Sequence, residues 1–124
     1  MSVSFEAIGQ VTVTCQTNGT VTDGAMVKIS ANDTVEVCAA GEKFCGQAIH
    51  VAEDGMAAVQ VKGFIEVDCA DSTVTAGWAA LAADGNGGVK AADQGVQVLV
   101  MNVAGGKAVI CLYEKEDVKH GISV

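Results

Sequence analysis

The chain has 124 residues, half of them apolar but only 4% aromatic, with 15 glycines and no proline. That length suits one domain around one hydrophobic core, and a core built from valine, alanine and isoleucine favours pleated strands. Seven lysines, no arginine and fifteen carboxylates give a formal charge of −8, which opposes binding to a nucleic-acid backbone or docking on an anionic membrane.

The first ten residues, MSVSFEAIGQ, carry neither a basic region nor an apolar run. No segment reaches the ~20 apolar residues of a membrane span, so the protein is expected to be made and folded inside a cell. Its five cysteines (Cys15, Cys38, Cys45, Cys69 and Cys111) are odd in number and scattered. They are expected to be buried, reduced thiols. Val11, Val13 and Cys15 alternate with Thr12 and Thr14, which predicts a half-buried strand.

From Thr20 the chain reads TVTDG, then the apolar segment MVKIS, then a polar turn, ANDTVEV. CAAGEKFCGQAIH follows, and Cys38, Cys45 and His50 are its only candidate metal ligands. Structural zinc favours two cysteines two to four residues apart, and here six intervene, so no metal is assigned. In the next hairpin Ile49 and Val51 share one face with His50 on the other. Across the Glu53-Asp54-Gly55 turn, Val59 and Val61 oppose Gln60 and Lys62. This predicts one buried face and one wet face. Phe64, Ile65, Val67 and Cys69 continue the apolar pattern.

The second half restarts the plan. TVTAG from Thr73 repeats TVTDG at an offset of 53, AALAA takes the place of MVKIS, and ADGNGGV takes the place of ANDTVEV. MNVAGGKAVICL from Met101 then parallels IHVAEDGMAAVQV from Ile49. Two related units are expected, at about residues 20–61 and 73–112, between an N-terminal arm and a charged C-terminal tail. The glycine-rich ADGNGG lacks the strand–helix setting of a dinucleotide fingerprint and the GK[ST] ending of a P-loop, so it reads as a hairpin turn.

The last hairpin, VQVLVMNVAGGKAVICLY, is apolar on both sides. Val98 and Val100 alternate with Leu99, Met101 and Val103, and Val109 and Cys111 alternate with Ile110 and Leu112. A hairpin apolar on both faces is covered on both. One cover is the protein's own core, and the other is either the N-terminal strand or a neighbouring subunit. The face carrying Val98, Val100, Val109 and Cys111 is the candidate oligomer or capsid interface.

The sequence offers no catalytic constellation. His50 falls on a predicted solvent face and His120 in the tail EKEDVKHGISV, with no serine or cysteine beside either in a nucleophile motif. Asp84, Asn86 and Asp93 lack the twelve-residue loop of a calcium site. No cofactor is implied. The expected fold is all-β, a compact barrel or sandwich built from the two hairpin-rich units.

DGAMVKI, FCGQA, VQVKGFIEV, AGWAALAADGNGGVKAAD and the closing valine-rich hairpin together span Val21 to Leu112. Over this run the chain resembles the small capsid decoration (cement) proteins of tailed bacteriophages. The resemblance implies a β-rich protein on the virion exterior, made in the host bacterial cytoplasm, that binds the major capsid protein, often as a trimer at threefold positions. It implies no enzyme activity. The competing readings are a β-barrel ligand-binding or small enzymatic module, and another virion part such as a tail-tube or fibre-base domain.

Overall fold

A computed structural model describes residues 10–112. The arm before Gln10 and the tail after Leu112, including His120, lie outside the described residues. The fold is all-β, with nine strands: β1 (Val11–Thr17), β2 (Met26–Ala31), β3 (Thr34–Val37), β4 (Gly46–Val51), β5 (Ala57–Asp68), β6 (Gly77–Ala83), β7 (Val89–Ala91), β8 (Val96–Ala104) and β9 (Lys107–Leu112).

Their order is β1-β3-β2-β4-β5-β9-β8-β6-β7, with a further pairing of β1 to β5. That pairing closes the first five strands into a ring. β5 is long enough to serve both halves: Ala57 to Lys62 pair with β4 and β1, and Gly63 to Asp68 pair with β9. The change of partner falls at Gly63, where φ is +101° and a Cβ would come 3.0 Å from Gln10 Cα. Only glycine turns there without strain.

Pairing order repeats along the chain. The first half runs β3-β2-β4-β5 and the second runs β7-β6-β8-β9. ADGNGG forms the β6–β7 turn. Asp84 Oδ1 accepts from the backbone N–H of Asn86 at 2.7 Å and of Gly88 at 3.0 Å, and Gly85 and Gly87 take φ near +90°. The carboxylate and the glycines together close the turn.

Two apolar clusters form the interior. Cys15, Val27, Val35, Ala48 and Val59 fill the ring. Ile65, Leu81, Val98, Val100 and Ile110 fill the second, which also takes Met26, Cys38 and Phe44 from the first half. Backbone bonds join the halves as well: Met26 N donates to Gly87 O at 3.1 Å, and Ala83 N to Glu42 O at 3.0 Å.

Simple alternation fails at three places. Ile49 is 42% exposed, not inward beside Val51, because it is the extra residue of a β-bulge between Ala48 and His50. Val11 and Val13 are also exposed, and only Cys15 of their strand is buried. β1 bonds to β3 only at Gln16 and Thr17, so its upstream part lacks a strand on that side. Gln60, expected on the wet face, is 3% exposed. Its amide is enclosed where β5 passes from the ring to the second sheet.

Candidate functional site: the outer face of the second sheet

Residues directly opposite each other in an antiparallel ladder share a face. In the second sheet Phe64 pairs with Cys111, Cys111 with Leu99, and Leu99 with Trp78. These side chains therefore form one row across β5, β9, β8 and β6. The row behind it, Ile65, Ile110, Val100 and Gly77, faces the opposite way, and Ile110 and Val100 are fully enclosed. The front row is open: Trp78 is 46% exposed, and Phe64, Leu99 and Cys111 are partly buried. Val109 extends the apolar surface along β9, and Met101, 39% exposed, lies beside it on β8.

The four residues expected to share an interface do not share a face. Val98 and Val100 have 0% and 1% exposure and belong to the core. Val109 and Cys111 stand on the outer side. The cause is the pairing: Val100 opposes Ile110, and Leu99 opposes Cys111. A second bulge at Met101 then sends Asn102 outward and Val103 to the core side, where it packs on the main cluster. β1 does not cover this hairpin; it pairs with β3 and β5 in the ring. Trp78 and Phe64 escaped the sequence reading because their place in the row depends on long-range register. The alternation of Leu99 and Met101 against Val100 was the available signal for the outer side.

Charge lies at the two ends of this face. Glu66 and Asp68 follow Phe64 outward along β5, and Lys107 Nζ pairs with Asp68 Oδ1 at 2.6 Å. With that pair neutralised, Glu66 leaves this end negative. At the other end Lys62 is exposed and close enough to Cys111 for its charge to hold that thiol down, against burial, which pushes it up.

Groups elsewhere are held quiet. His50 Nδ1 lies 3.6 Å from Asp23 Oδ2, with both side chains well exposed, and Asp23 Oδ1 accepts from Val51 N at 2.8 Å. Burial pushes the Cys38 thiol up to about 11 and raises Cys15, Cys45 and Cys69. These thiols are protonated at neutral pH and poor nucleophiles. Among the described residues no group of three or more His, Cys, Asp or Glu could hold a metal ion. A cavity of about 230 Å³ between the halves is lined by Asp23, Gln47, Glu66, Asp68, Asn86 and Lys107. Its polar lining differs from the apolar walls of most small-molecule sites. Gln47 is already engaged there, donating through Nε2 to Gly24 O at 3.1 Å and Glu66 O at 3.0 Å.

No known protein family and no curated protein matches the chain.

Proposed function

We propose that the chain is a virion structural protein that binds the outer surface of a tailed-phage capsid. Its partner is the major capsid protein, and its role is to stabilise the shell without catalysis or a cofactor. The observation that carries this reading is where the residues of the resemblance fall. DGAMVKI leads into β2, FCGQA into β4, VQVKGFIEV lies in β5, and AGWAALAADGNGGVKAAD builds β6, its turn and β7. The likeness is therefore one of framework.

That framework displays an apolar face bordered by few charges, and its thiols are held protonated. Such a surface suits binding to protein rather than chemistry. The charge of −8 suits a place outside the shell, away from packaged DNA. Copies displayed together at a threefold position gain avidity from contacts that are individually weak.

The test is co-sedimentation with expanded, undecorated capsids of the phage whose genome encodes the chain. Saturable binding at a fixed number of copies per capsid, with shells that survive higher temperature, is expected. If the chain stays in the supernatant at every concentration, decoration is the wrong function.

A further inference from the structure

We infer that the outer face of the second sheet pairs with the same face of a second copy, about a two-fold axis lying along the row Phe64, Cys111, Leu99 and Trp78. The inference stands on the geometry of this face and does not depend on the capsid reading.

A two-fold contact brings one patch against itself, so the patch must be self-complementary. The row satisfies this along its length. Rotation about it sets each of the four side chains over its own copy, apolar against apolar. The same rotation exchanges the two ends of β5. Lys62 lies two residues to one side of Phe64 and Glu66 two residues to the other. Each lysine is thereby carried over the partner copy's glutamate, and the contact forms twice. Rotation about an axis parallel to the strands would instead carry Lys62 toward Ala80, with no charge to meet. On β8 the exchange matches Gln97 with Asn102, both polar and exposed. Asp68 and Lys107 already neutralise each other. In a chain of charge −8, a face whose charges cancel under one particular rotation favours a second copy as its occupant.

The size of the patch sets the strength. Three inter-strand spacings of about 4.8 Å, by four residues at about 3.3 Å each, outline roughly 14 Å by 13 Å. With its side chains this buries a few hundred Å² per copy, on the order of the smallest specific interfaces. The pair is therefore weak and depends on concentration. Cys111 lies on the axis, so its thiol meets that of the partner copy.

Sedimentation equilibrium of the full chain tests this. The mass should rise with concentration from 12.5 kDa toward twice that value. Lys62→Glu and Glu66→Lys should each weaken association roughly tenfold, since one substitution reverses both symmetric contacts. The double variant Lys62→Glu with Glu66→Lys should restore it. Both residues are exposed, so the folded monomer is expected to survive, as thermal melting would verify. Diamide, which removes one hydrogen from each of two thiols, should link the wild-type pair, and Cys111→Ser should abolish that product. A mass that stays monomeric or rises to a trimer, a double variant as weak as the singles, or a cross-link that persists in Cys111→Ser would each overturn the two-fold pairing. Capsid co-sedimentation, scored separately, is unaffected by any of these results.

Discussion

Gln60 carries the bend on which both halves depend. Its Nε2 donates to Lys62 O and Phe64 O, each at 3.1 Å, and its Oε1 accepts from Gln10 Nε2 at 3.1 Å. The amide thus bridges the backbone on either side of Gly63, whose φ of +101° turns the strand. Leucine has a similar volume and no donor, so Gln60→Leu keeps the packing while two enclosed carbonyls lose their bond. The expected cost is about 2–3 kcal/mol, the range for stranding buried acceptors, read as a lower urea midpoint with an unchanged slope. A midpoint within error of wild type would show that water satisfies those carbonyls instead. Alternation in QVQVKG reads Gln60 as solvent-facing, because period two describes one regular strand and carries no information about what packs over it. Cys15 is the reverse case: its burial was legible, since a small apolar residue flanked by threonines on an alternating strand has one sensible side.

At the level of elements, the two bulges explain where sequence reading lost the faces. Ile49 and Met101 occupy matching places in IHVAEDG and MNVAGG, and each is the extra residue in its ladder. Turns, strands and the repeated hairpins were legible because glycine, Asp-Gly and alternating valines act locally. A bulge is set by the partner strand, which lies far away in sequence, so the reading assigned Ile49 inward and Val103 outward. Deleting Met101 should regularise β8 and leave every neighbour on its present face, with a loss of stability under about 1.5 kcal/mol, as for a mild single change. Deleting Val98 should instead shift Gln97 into the core position opposite Ala79 and prevent folding. Circular dichroism melts of the two deletions provide the check. An unfolded Met101 deletion would mean that the bulge itself is needed to shape the sheet.

Over the whole molecule, the halves share a strand and also a core. Met26, Cys38 and Phe44 come from the first half yet pack among Leu81, Val98 and Ile110. The Lys28 ammonium pairs with Glu42 at 2.7 Å and with Glu36 at 3.4 Å, which holds the loop whose Glu42 carbonyl receives the N–H of Ala83. None of this crossing could be read from the sequence, where each unit shows a complete pattern of its own. It makes a specific demand on unfolding. Trp78 is the single tryptophan and reports only on the second sheet, whereas Val35 is fully enclosed in the ring. Val35→Ala should cost about 2 kcal/mol through lost burial and the cavity left behind. If the domain unfolds as one unit, Trp78 fluorescence and far-ultraviolet circular dichroism should shift to the same lower midpoint, as coincident probes do in a two-state transition. A Trp78 midpoint that stays at the wild-type value while circular dichroism shifts would mean that the halves melt separately, and that the shared strand does not couple them.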